Sequence, residues 1–64
     1  MPLPFRIFKL RGDGSQEFVE EAHTLEYARV SVGEIARLWP GEYIIQNEET
    51  GERVSIPQAA NRTR

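Results

Sequence analysis

Three glutamates, Glu17, Glu20 and Glu21, lie just before the single histidine, His23, and form the densest group of potentially reactive side chains. Neighbouring carboxylates can serve as a general acid and base, or as oxygen ligands for a divalent cation. On a strand, however, Glu20 and Glu21 point to opposite faces, and no second cluster supplies further ligands. A solvated surface is expected there rather than a reactive centre. No serine or cysteine nucleophile is evidently arranged with His23, and the chain has no cysteine, which removes disulfides and thiolate metal sites. We therefore assign no catalytic, cofactor-binding or metal-ligating residue, and expect no enzyme. A chain of 64 residues with one histidine leaves little room for a closed site.

Three shorter motifs are absorbed by local structure. Arg11-Gly12-Asp13 spells an integrin tripeptide, but the same letters are hairpin-turn chemistry. Gly12 and Gly14 lack the third glycine and the strand-to-helix setting of a dinucleotide loop. Asn61-Arg62-Thr63 is a glycosylation sequon by letter, and without a secretory leader it is expected to be inert. The opening Met1-Pro2-Leu3-Pro4-Phe5-Arg6 has no cationic start followed by an apolar core, and no run approaches the ~20 apolar residues of a membrane span. A soluble, cytoplasmic protein is the expectation.

The elements that must position these residues are legible from turns and periodicity. Gly12-Asp13-Gly14-Ser15 and Glu48-Glu49-Thr50-Gly51 each separate two β-prone runs, and a helical stretch closed by Pro40-Gly41 lies between them. The layout is ββαββ: two β-hairpins joined by one helix, an α+β fold with a four-stranded antiparallel sheet and the helix packed on one face. Residues 1–56 form one domain and residues 57–64 a disordered C-terminal tail. Thr24 is placed as the helix N-cap, with Glu26 in the first turn. Leu25, Ala28, Val32, Ile35, Ala36 and Trp39 recur at helical spacing as the buried stripe. Val30, Ser31, Val32 and Gly33 are weak helix formers, which leaves open a strand over 27–32 followed by a short helix. Within a helix, Gly33 would permit close approach to the sheet or to a second subunit.

Charge is segmented although the net value is only −2. Residues 1–12 carry Arg6, Lys9 and Arg11 with no acid, and residues 13–26 carry Asp13, Glu17, Glu20, Glu21 and Glu26 with no Lys or Arg. A three-residue loop with Gly14 in the left-handed region pairs Arg11 with Ser15. That register sets Arg6 opposite Glu20, Lys9 opposite Glu17, Phe8 opposite Phe18, Ile7 opposite Val19 and Phe5 opposite Glu21. Opposite charges across a hairpin contribute ~0.2–1 kcal/mol per pair, so the segmentation reads as registration. In the second hairpin, Tyr43, Ile45, Val54 and Ile56 share one face, with Ile45 opposite Val54 and Tyr43 opposite Ile56.

Phe5-Arg6-Ile7-Phe8-Lys9-Leu10 with Asp13-Gly14-Ser15, then Thr24-Leu25-Glu26, Trp39-Pro40-Gly41-Glu42-Tyr43 and Thr50-Gly51-Glu52, resembles short bacterial ββαββ proteins of unknown function over residues 5–56. The resemblance implies the fold and carries no site residues. Tyr27 stands where many such helices would place a second glutamate to complete a capping box.

One helix covers one face of a four-stranded sheet, so the other face meets solvent or a partner. If Phe5, Ile7 and Val19 lie under the helix, the open face displays Arg6, Phe8, Leu10, Phe18, Ile44 and Arg53. The competing arrangement turns Phe8 and Phe18 inward. Small domains without disulfides or metal often gain burial by association, which favours a protein partner, most simply a homodimer formed through that face. A small regulatory protein that binds nucleic acid is the alternative, disfavoured by the acidic balance.

Overall fold

A computed structural model describes residues 3–57. Strand β1 (Phe5–Leu10) and strand β2 (Gln16–Ala22) are followed by helix α1 (Leu25–Leu38), strand β3 (Glu42–Asn47) and strand β4 (Arg53–Ile56). All neighbouring strands are antiparallel, in the order β2-β1-β3-β4, and the helix lies on one face of the sheet. This order brings β1 and β3 together at the centre. The tail expected over 57–64 lies outside the described residues beyond Pro57.

Both hairpins close as their turn residues dictate. Arg11 N–H donates to Ser15 O at 2.8 Å and Gly14 N–H to Arg11 O at 3.0 Å, with Gly14 at φ 91°. In the second loop Asn47 N–H donates to Glu52 O and Gly51 N–H to Asn47 O, both at 2.7 Å. Each loop is further held by a side-chain oxygen near its start. Asp13 Oδ1 accepts the Ser15 N–H at 2.9 Å, and Asn47 Oδ1 accepts the Glu49 N–H at 2.8 Å. The Ser15 N–H, with help from the Ser15 hydroxyl, holds the Asp13 carboxyl below its ordinary range by stabilising the carboxylate.

The first hairpin departs from the expected register at one point. Phe8 faces Phe18 and Lys9 faces Glu17, but Ile7 then pairs with Glu20, Arg6 with Glu21 and Phe5 with Ala22. Val19 is left without a partner across the ladder, a β-bulge. The expected pairs Arg6–Glu20, Ile7–Val19 and Phe5–Glu21 are therefore replaced. An unbroken register would set Glu21 on the helix face beside Phe5. The inserted residue moves Glu21 to the face of Arg6, keeps Val19 against the core and seals Ala22 within it.

The helix is continuous through the weak formers 30–33, because its inward side is buried. Ala28, Ser31, Val32 and Ala36 are buried, and Thr24 Oγ1 accepts the Tyr27 N–H at 3.0 Å. They close over Ile7, Ala22, Tyr43 and Ile45, while Phe5, Val19, Leu25, Ile35, Val54 and Ile56 pack at the margin. Two expectations for the helix fail. Trp39 is not in the core but 55% exposed at the C-cap, where the backbone leaves helical geometry and swings its side chain outward. Gly33 does not serve close packing on the sheet, since it is exposed and a Cβ added there would meet nothing within 4 Å.

Tyr43 ties the helix end to the sheet. Its ring is fully buried and its hydroxyl donates to Trp39 O, satisfying a carbonyl that the helix can no longer pair. Burial pushes the Tyr43 phenol above its ordinary value of 10.0, because a phenolate there would be poorly solvated. The neutral form is preferred by the folded state, so its contribution is whole below pH 10.0 and is lost as pH rises through the raised folded value.

Two outcomes follow from this packing. Gly33→Ala should raise stability by about 1 kcal/mol, read as a higher urea midpoint, because the methyl enters open space on a helix. Tyr43→Phe should lower stability by about 1 kcal/mol at neutral pH and flatten the alkaline fall of the thermal midpoint relative to the native chain.

Candidate functional site

The bulge and the alternation of side chains settle which face of the first hairpin lies under the helix. It is the Phe5, Ile7 and Val19 face, since Ile7 is fully buried and both Phe5 and Val19 pack against the core. Among the described residues no element lies over the other face. Reading across the strands, its middle row is Phe18, Phe8, Ile44 and Ser55, each directly opposite the next. The row on one side is Glu21, Arg6, Gln46 and Arg53, and the row on the other is Gln16, Leu10 and Glu42. All six residues expected on the open face (Arg6, Phe8, Leu10, Phe18, Ile44 and Arg53) are thus on it.

Their geometry is that of an apolar strip bordered by charge. Phe8 and Phe18 meet edge to face, with ring centroids 6.0 Å apart and planes at 69°. This is a favourable arrangement of aromatic quadrupoles, and it holds Phe18 in place although that ring is 51% exposed. The Arg6 guanidinium lies 5.9 Å from the Phe18 centroid, and its Nε is 3.5 Å from Glu21 Oε2. That Nε is enclosed and makes no hydrogen bond, so Arg6 is held by stacking and charge rather than by a directed bond. Arg53 Nε donates to Gln46 Oε1 at 3.3 Å.

The acidic group considered first is dispersed. Glu17 pairs with Arg11 at 3.1 Å, Glu21 pairs with Arg6, and Glu20 lies on the helix side of the sheet, beside Ile35 and Trp39. His23 is exposed in the connection between β2 and α1. Among the described residues no group of three or more His, Cys, Asp or Glu side chains is placed to hold a metal ion. No helix among them is long and apolar enough to cross a membrane.

No protein-family model, curated protein or solved structure matches the chain. Two features of the surface escape simple sequence reading. The Arg6–Glu21 pair depends on the bulge, for which the only sequence signal is that an unbroken register would place Glu21 among core residues. The solvent exposure of Trp39 was foreshadowed only by its position next to Pro40, where the helical spacing stops applying.

Proposed function

We propose that this chain is a non-enzymatic interaction module that self-associates as a two-fold dimer through the open sheet face. The observation that carries the reading is the contiguous strip Phe18–Phe8–Ile44, with Leu10 beside it, on a face that no other element covers among the described residues. Contiguous apolar area of this kind marks association surfaces, and the fold's small core gives it reason to gain burial elsewhere. The bordering row supports a self-complementary contact. It carries Glu21 with Arg6 and Arg53, so a two-fold axis through the strip can set the acid of one copy against a base of the other. The cysteine-free composition suits a reducing compartment, and the cytoplasm is our proposed location.

A single-stranded nucleic-acid platform is the second reading, favoured by two aromatic rings and two arginines on one open sheet. The charge of Arg6 is already met by Glu21, and the net charge of −2 opposes phosphate, so we rank it below self-association.

Sedimentation or light scattering should show a dimer at micromolar concentration. Phe18→Glu should weaken it at least tenfold, equivalent to about 1.4 kcal/mol, while the variant keeps the native circular dichroism spectrum. Phe8→Glu should act in the same direction. A native chain that stays monomeric at ~100 µM would overturn the reading. Binding to a mixed oligonucleotide that fades steeply with salt would replace it with the second one.

A further inference from the structure

The first hairpin loop contains a residue pair that can modify itself. In Asp13-Gly14 the Gly14 nitrogen can attack Asp13 Cγ and close a five-membered ring, and glycine hinders this attack least because it has no side chain. The Cγ–N bond forms as a Cγ–O bond breaks, and the Gly14 amide proton leaves with the carboxyl OH as water. Water then adds to one of the two ring carbonyls. Opening at Asp13 Cγ restores the original chain, whereas opening at the Asp13 main-chain carbonyl leaves the backbone running through Cβ and Cγ, an isoaspartyl link. No other reactant is consumed, since the water released is the water regained.

The loop needs both residues for its own geometry. Gly14 sits at φ 91°, where residues with a side chain are strained, while a Cβ there would meet nothing within 4 Å, so conformation alone demands glycine. Asp13 supplies the oxygen that holds the turn. Gly12, Asp13, Gly14 and Ser15 are all exposed, so packing does not restrain the reaction.

The loop's hydrogen bonds oppose each requirement of the attack. Gly14 N–H donates to Arg11 O at 3.0 Å, and the nitrogen must give up that bond as it loses its proton. Asp13 Oδ1 accepts the Ser15 N–H at 2.9 Å and the Ser15 hydroxyl at 2.7 Å, which takes from the carboxyl the freedom to turn onto the Gly14 nitrogen. The reactive form is the neutral acid, whose OH can leave. The Ser15 N–H first and the Ser15 hydroxyl second favour the carboxylate instead, and the neighbouring Arg11 charge, itself paired with Glu17, acts in the same direction.

We propose that Asp13-Gly14 is a latent isoaspartyl modification site, and that Ser15, through its amide and hydroxyl bonds to the Asp13 carboxyl, keeps the site closed while the hairpin is folded. Opening of the loop releases it, so isoaspartate at residue 13 is a lasting record of first-hairpin opening. The conversion adds one carbon to the main chain between Arg11 and Ser15, the pair whose hydrogen bond closes the loop and from which Phe8 is set against Phe18.

The test incubates the full chain, native and in guanidinium chloride, at mildly acidic pH. Isoaspartate is labelled by enzymatic methylation of isoaspartyl carboxyls and located by peptide mapping. The native chain should form it at residue 13 at least tenfold more slowly than the unfolded chain. Ser15→Ala, at an exposed loop position, should raise the native rate at least threefold with an unchanged circular dichroism spectrum, and leave the unfolded rate within twofold. The rise of the rate on acidification should begin at lower pH in the native chain than in the unfolded one, because the fold holds the carboxylate. The proposal is overturned by equal native and unfolded rates, by a Ser15→Ala rate equal to that of the native chain, or by no isoaspartate at residue 13 in the unfolded chain.

Discussion

One helix of 14 residues has to close the core of a four-stranded sheet, and the closure is made where Ala28, Val32 and Ala36 sit down on Ile7, Tyr43 and Ile45. Small side chains on the helix let it approach the two central strands closely, and large ones on the sheet fill the space beneath it. The Tyr43 hydroxyl on Trp39 O fixes where this contact ends, because it ties the C-cap of the helix to a ring buried in the core. Everything outside that footprint is left to solvent or to a partner. With so little interior, the apolar residues that fail to reach the core become the most informative ones on the surface.

The β-bulge at Val19 reconciles two requirements that a regular ladder could not meet together. Phe8 and Phe18 must face each other outside, and the end of the same strand must bury Ala22 beside the helix. Without an extra residue, Glu21 would occupy the core position opposite Phe5, and a carboxylate there would have to be desolvated. The insertion turns Glu21 outward to Arg6 and leaves Val19 to pack at the core margin. The same device bends the edge strand, a known way of discouraging indiscriminate edge pairing.

The two unoccupied surfaces then differ in a way that follows from their origins. The open sheet face inherits the alternation of the strands, so its apolar strip is flanked by residues of both signs. The β2 groove combines Val19 and Glu20 of an edge strand with the exposed apolar end of the helix.

Turns, caps and periodicity are local, and the sequence by itself determined what they control: two hairpins with their loops, a helix starting after Thr24, and the Tyr43, Ile45, Val54 and Ile56 face. Tertiary structure alone decided what depends on competition between distant groups. The strand order brought β1 to the centre, because there both central strands can lie under one helix. The bulge arose because burying Ala22 and turning Glu21 to the face of Arg6 outweighed an unbroken ladder. Continuity of the helix through Val30 to Gly33 was likewise decided by burial of Ser31, Val32 and Ala36, which outweighs weak local propensity. Trp39 illustrates the converse: spacing put it on the apolar stripe, but a stripe has meaning only while the backbone remains helical, and at the C-cap it does not.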